Sequence, residues 1–369
     1  MALTRHLLRS DLLRDLKRNI AEGVWQGNLP SERQLTDFYQ VSRGTLRHAL
    51  KSLQEQQVIK SVPGSGYILL KKVRKPSTRH KNVSIGLLIG RADETRANRD
   101  RAWIPELQQR LSKRDWNLHI HEGIPEVERS PKTGIAKLFK ATNHDCWLLH
   151  TCNQVIQSEF QDAKGPSIIC GSPFEGISLP SIDIDFRALG RHAAGAIIAK
   201  GHNHIGFISG KEPFPGDAKL LEGFREGISL SSRNVTFKVT RYSNPRHSYA
   251  NFFDRITTGR DSTTALFVDC PYQLLNLHGQ AAKMGISIPG DLSIVCRQGT
   301  DFLNYISPDP SCYEFNTKEM ARKVHQEIES AVRGDSIRDH RVLVLPEFHE
   351  GDTLKSIDAN PQRDPRPRI

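Results

Sequence analysis

The sequence predicts two folded regions of different class. A small N-terminal domain of short helices, closed by a two-stranded β wing, should precede a larger α/β core of two doubly wound lobes. Three observations predict this. The chain has 369 residues, more than one ordinary domain holds. Its positive charge sits at one end: residues 1–82 carry 16 Lys and Arg against 6 Asp and Glu, and the remainder 36 against 35. Beyond residue 82, apolar strand-like runs alternate with helical stretches, as in parallel sheets.

Composition narrows the class. With 37% hydrophobic and 25% charged residues, the chain can bury a core and does not read as disordered. No run of about 18 apolar residues occurs, so no spanning helix is predicted. Met1 to Leu16 is interrupted by Arg5, Arg9, Asp11, Arg14 and Asp15, which does not read as a signal peptide; a cytoplasmic protein without membrane partner is expected. Cysteines 146, 152, 170, 270, 296 and 312 show no paired spacing and are expected as reduced, half-buried thiols, with no metal or cofactor. The basic segment calls for an anionic partner, nucleic acid before membrane surface.

Within residues 1–70, Leu8, Leu12, Leu13, Leu16 and Ile20 recur at helical spacing. Ser31 with Gln34 forms a capping box for a short helix reaching about Tyr39. Ser42 caps a second helix, from Arg43 to about Gln56, whose buried face is Leu46, Ala49, Leu50 and Leu53. Arg43, Gly44, Thr45, Arg47 and Lys51 lie off that face, near its start. Arg43 and Arg47, four residues apart, aim two guanidinium forks from one side, suited to guanine edges or phosphates. Val58–Lys60 and Gly66–Leu70 read as strands around Pro63-Gly64-Ser65-Gly66, a turn able to approach a sugar-phosphate backbone.

The ordered strings Leu-Pro-Ser-Glu-Arg-Gln-Leu, Val-Ser-Arg-Gly-Thr-Leu-Arg-His-Ala-Leu, Leu-Gln-Glu-Gln-Gln-Val-Ile and Pro-Gly-Ser-Gly-Tyr, over residues 7 to 70, closely resemble the GntR-type winged helix-turn-helix. That resemblance implies DNA contacts from Arg33, Arg43, Thr45 and Arg47, with Gly64 and Gly66 in the wing. Ser42, Gly44 and Ser65 beside them complete the candidate DNA surface.

Residues 71–82 read as a basic linker, and 83–357 as the core. Strands are predicted at 83–89, 117–120, 146–150, 167–171, 205–209, 237–242, 265–269 and 293–296. Helices are predicted near 104–113, 135–140, 189–200, 216–230, 248–257 and 272–284. The segments Asp185-Phe-Arg-Ala-Leu-Gly190, Ile197 to Gly210, Leu221-Glu-Gly-Phe224 and Met284 to Val295 resemble the LacI-type effector-binding core, a relative of periplasmic sugar-binding proteins. This periplasmic-binding-protein-like core implies two lobes closing on a ligand at the carboxyl ends of their strands. Hinge crossovers are expected near 173–181, 297–302 and 313–340, and the tail 358–369 is expected to be disordered.

The sequence departs from that family where sugars are held. The usual arginine before Leu-Glu-Gly-Phe is Leu220, the Asn-Asp pair is Cys270-Pro271, and Gly-Phe-Asp-Asp is Cys296-Arg297-Gln298-Gly299. Leu220 should leave sugar hydroxyls unpaired unless Lys219 substitutes, so plain hexoses should bind weakly. Candidate effector residues are Arg91, Asp93, Phe174, Asp217, Cys270, Tyr272 and Gln298. His202 and His204, despite their proximity, read as structural.

The resemblances together imply a ligand-regulated transcription factor, a repressor rather than an activator. It should bind a double-stranded inverted-repeat operator as a homodimer, with a small-molecule effector, a sugar derivative among the candidates. No catalytic motif is found. The alternatives were a pyridoxal-phosphate enzyme-like body and a solute-binding protein without a transcriptional role; the LacI-like segments oppose the first and the DNA-binding head the second.

Overall fold

The computed structural model describes residues 12–13, 16–17, 19–20, 24–25, 27–39, 41–62, 66–70, 83–90, 101–163, 165–211, 214–243, 246–335, 337 and 339–357. The chain divides into two compact units, Met1–His80 and Lys81–Ile369. The expected linker 71–82 and tail 358–369 lie outside the described residues, as do Leu8, Gly64, Ser65, Arg91 and Asp93.

In the first unit, the described residues of 12–20 are helical and bury Leu12, Leu16 and Ile20. Helix α1 (Glu32–Tyr39) starts at the predicted box: Ser31 Oγ accepts from Gln34 N at 3.3 Å, and Gln34 Oε1 accepts from Ser31 N at 3.0 Å. Helix α2 (Arg43–Glu55) is capped by Ser42, whose Oγ accepts from Thr45 N at 3.1 Å. Leu46, Ala49, Leu50 and Leu53 close the core. Strands β1 (Ile59–Val62) and β2 (Gly66–Leu69) pair antiparallel, Val62 opposite Gly66. Gly66 has φ +76°, a left-handed conformation that any Cβ would strain.

In the second unit, the first lobe begins with β3 (Ser84–Ile89), α3 (Trp103–Ser112), β4 (Asn117–Glu122), α4 (Pro125–Arg129), α5 (Pro131–Ala141), β5 (Cys146–His150), α6 (Gln154–Asp162), β6 (Ser167–Cys170) and β7 (Ser181–Ile184). The second lobe holds α7 (Phe186–Ala199), β8 (His204–Gly210), α8 (Pro215–Ser229), β9 (Thr236–Tyr242), α9 (Ala250–Thr257), β10 (Ala265–Val268), α10 (Pro271–Lys283), β11 (Ser293–Cys296), a 3-10 turn (Asp301–Tyr305) and β12 (Ser311–Glu314). Then α11 (Thr317–Val332) and β13 (Arg341–Val344) return to the first lobe, and β14 (Glu347–His349) rejoins the second.

Each lobe is a six-stranded sheet, in the orders β13-β7-β6-β5-β3-β4 and β14-β12-β11-β10-β8-β9, parallel except for β14 on β12. Strands β5, β6, β7, β10 and β11 are buried at every position, as doubly covered parallel strands must be. Helices α7 and α8 pack backbone to backbone: a Cβ on Gly223 would lie 2.0 Å from the Arg187 carbonyl oxygen, so only glycine fits.

The topology corrects the expected hinge. Residues 173–181 join β6 to β7 within the first lobe, and 297–302 join β11 to the 3-10 turn within the second. The chain crosses instead at Asp185, at residues 315–316 and at residues 345–346. Of 313–340, only 315–316 forms a crossover, because α11 packs wholly on the first lobe. All six cysteines are free and buried rather than half-buried, sealed within the strands they belong to or follow.

Candidate nucleic-acid interface and effector cleft

On the first unit, Arg33, Ser42, Arg43, Gly44 and Arg47 are exposed and Thr45 is half-buried. Ser42 is occupied with capping, its Oγ also 2.9 Å from Thr45 Oγ1. Arg47 is oriented: its Nε donates to Glu32 Oε2 at 2.9 Å, while Tyr67 Oη donates to Glu32 Oε1 at 3.2 Å. Glu32 thereby ties α1, α2 and the wing strand β2 together and holds one guanidinium at the start of α2. The start of α2, which carries Arg43 and Arg47, is thereby braced against α1 and β2, with the Arg47 fork drawn toward α1.

In the second unit, a cleft enclosing about 120 Å³ that water centres can occupy lies between the lobes. It is reached by residues at the carboxyl ends of β5, β6, β7 and β11 and by the start of α8, where a doubly wound core places its ligand. Trp103, Phe186, Phe214 and Phe315 give it aromatic walls.

Its polar centre is a buried ion pair. Arg297 Nη1 donates to Asp217 Oδ1 at 2.6 Å, with both side chains about 5% exposed or less. The guanidinium carbon stands 4.0 Å from the Phe186 ring centroid, a cation–π contact. Asp217 Oδ2 also accepts from Phe214 N at 2.9 Å, which fixes the first turn of α8.

A second polar chain links the lobes. Lys219 Nζ on α8 donates to Ser172 Oγ at 3.1 Å, and Ser172 Oγ donates to Asp183 Oδ2 at 2.5 Å. Burial pushes the Asp183 carboxyl up to about 6, against the opposing pull of the Ser172 hydroxyl, the Ile184 N–H and the Lys219 and Arg297 charges.

Of the predicted effector residues, Asp217 and Gln298 line the cleft. Phe174 stands one layer behind, its ring 6.1 Å from that of Phe214. Two expectations fail. Cys270 is wholly buried in the second-lobe core at the start of α10, and Tyr272 lies on the surface against Phe302, rings 5.2 Å apart. Leu220 is also wholly buried, its carbonyl packed toward Gly190 of α7, so it is not a cleft wall. The argument that Leu220 strips the cleft of hydroxyl partners therefore falls. His202 and His204 bond to Thr264 and the Lys355 carbonyl, and to Ser262, as structural histidines do. The sequence reading passed over Arg297, Asp183 and Ser172. Arg297 carried a signal, a charged residue directly after the apolar run Ile294–Cys296.

Residues 8–69 match the family of bacterial regulatory proteins called gntR, and residues 194–354 match the periplasmic binding protein-like domain. Catabolite control protein A of Priestia megaterium is 24% identical over 153 residues, 41% of this chain and 46% of that protein. The HTH-type transcriptional repressor PurR of Vibrio vulnificus is 22% identical over 166 residues, 44% and 49% of the two chains. The chain thus spans about half the length of these curated relatives, which are regulators rather than enzymes. The solved transcription regulator CcpA of Lactococcus lactis has the same fold, with a TM-score of 0.60 at 14% identity over 74% of this chain and all of that one. The chain thus joins a match to the gntR family of bacterial regulatory proteins, at residues 8–69, to a match to the periplasmic binding protein-like domain, at residues 194–354.

Proposed function

We propose that the protein is a ligand-regulated repressor that binds an inverted-repeat operator as a homodimer and is controlled by a small molecule in the interlobe cleft. The carrying observation is the coexistence in one chain of an exposed Arg43–Arg47 helix start and a cleft with a buried ion pair. Arg33, Arg43, Gly44, Thr45 and Arg47 serve as the DNA surface, Ser42 positions it, and Gly66 opens the wing strand β2. The PurR relative of Vibrio vulnificus is a transcriptional repressor, which supports the sign of regulation. Regulation is by linkage: an effector that binds one lobe arrangement more tightly shifts the population toward it, and with it the DNA affinity. Among the described residues no helix is long and apolar enough to cross a membrane, and we place the protein in the cytoplasm with the chromosome.

A dimer surface is available on the second lobe. Tyr272, Leu275 and Tyr305, on α10 and the 3-10 turn, are 37%, 49% and 90% exposed, with the Tyr272 ring 5.2 Å from that of Phe302, and large exposed apolar side chains of this kind can form an interface patch. A second copy is its proposed occupant, which supplies the two-fold axis an inverted repeat requires. Selection of bound sequences from a random duplex pool, followed by footprinting, tests the operator. An asymmetric single half-site at saturation refutes the dimeric reading. Sedimentation of L275E and Y305E tests the patch, both expected monomeric; dimers indistinguishable from wild type refute it.

A further inference from the structure

Arg297 is 3% exposed, yet its Nε has no hydrogen-bond partner. Its hydrogen bond to the described residues runs from Nη1, to Asp217, so the Nε–Nη2 edge of the fork faces no protein acceptor among them. A buried guanidinium donor left unmatched is costly, and the side chain lines the cleft. Nearby Lys219 has three ammonium donors and commits one, to Ser172 Oγ.

The acceptors of the cleft are in the opposite condition. Asp217 takes Arg297 on one oxygen and the Phe214 N–H on the other. Asp183 takes Ser172 on one oxygen and the Ile184 N–H on the other, at 2.8 Å. The cleft wall therefore has a spare donor edge on Arg297 while both carboxylates are engaged, and a ligand that uses that edge must bring acceptors. A guanidinium Nε–Nη2 edge presents two parallel N–H groups at the spacing of a planar oxyanion.

We propose that the Nε–Nη2 edge of Arg297 is an oxyanion site, and that the effector carries a carboxylate or phosphate group that docks there. The proposal rests on the effector reading of the cleft. Asp217 stays in place and holds the guanidinium flat on Phe186, so the site is preorganised. Burial of Asp183, which favours its neutral form, lessens repulsion of the incoming anion.

The test uses the full chain with sodium acetate and sodium phosphate as probes, against sodium chloride at equal ionic strength. The cleft admits ions of this size. At about ten times the dissociation constant, the second unit should melt roughly 3 °C higher in at least one oxyanion than in chloride. The more effective probe identifies the group. R297K keeps the charge and the Asp217 partner but has no fork, and should lose the shift; because its head is unchanged, phosphate binding to the head cancels from the comparison. Should R297K not fold, tryptophan fluorescence of the wild type decides. A saturable oxyanion response that W103F abolishes supports the site. Overturning results are no shift beyond chloride in either probe, a shift retained in R297K, or a fluorescence response that W103F leaves intact. An Arg297-dependent shift with DNA affinity unmoved by saturating anion supports the site and refutes its regulatory role, which separates the two readings.

Discussion

Replacing Asp217 by Asn removes the charge opposite Arg297 and keeps the shape. The amide can accept from Arg297 or cap the Phe214 N–H through its one oxygen, whereas the carboxylate does both. Because both partners are about 5% exposed or less, the uncompensated guanidinium remains buried, and breaking such a pair costs about 3–5 kcal/mol. At roughly 2–4 °C per kcal/mol for a unit of this size, the second unit should melt on the order of 10 °C lower. Differential scanning calorimetry of the full chain reads this, with the two units followed as separate transitions. Glu350→Gln serves as control, since its pair with Lys200 is half open to solvent and should contribute less than about 1 kcal/mol. Replacing both members, D217L with R297M, should recover most of the loss, because apolar residues of similar volume often substitute for a buried pair without penalty. A D217N effect no larger than that of E350Q would show that the pair is hydrated and does not organise the cleft.

Ser42→Ala should cost the first unit about 1 kcal/mol through loss of the α2 cap, read by its melting transition. Arg43→Ala should cost about 1–3 kcal/mol in operator affinity and relax preference at one base position per half-site, as scored by fluorescence anisotropy on a substituted duplex panel; unchanged preference places the reading helix elsewhere. If a dimer neutralises about 6–10 phosphates, raising salt from roughly 50 to 200 mM should lower affinity by about 10³–10⁵-fold, and a flat response refutes the electrostatic reading. Asp183 titrates near 6 folded and near its ordinary value unfolded, so the folded state binds the extra proton between them. Stability therefore falls as pH rises through that window, by about 3 kcal/mol for a shift of roughly two units. D183N should lose that slope, and parallel pH profiles for the two proteins would contradict it.

Much of the first unit was legible because its signals are local. The Ser31–Gln34 box, the Ser42 cap and the Leu46–Leu53 stripe each act within one or two helical turns. Eight of the twelve described core strands were also readable, as apolar runs, whereas β7, buried throughout yet carrying Asp183, and β12, β13 and β14 were not. The hinge was not. Whether 173–181 leaves a lobe depends on which sheet accepts the next strand, and that pairing spans most of the chain. Leu220 was misplaced for a related reason: the phase of α8 about its axis is set by its close approach to α7, with Gly223 against Arg187 and Gly190 against the Leu220 carbonyl, a contact between segments about 30 residues apart. Arg297 looked incidental because its partner lies 80 residues away.

The three crossings between the lobes have a mechanical consequence. Each is only one or two residues long, and two are fastened together, since Asp185 N donates to Val344 O at 2.9 Å where both chains leave the first lobe. Bodies joined at three close tethers cannot translate apart or twist freely; what remains soft is rotation about the line through the tethers. Phe186, just past one crossing, and Phe315, within another, keep their rings 5.9 Å apart. Binding of a ligand between Arg297 of the second lobe and Trp103 of the first is thus converted into a single angle rather than a spread of poses. Asp185 also caps α7, accepting from Ala188 N at 2.9 Å, so wide opening frays a helix end and meets a natural stop.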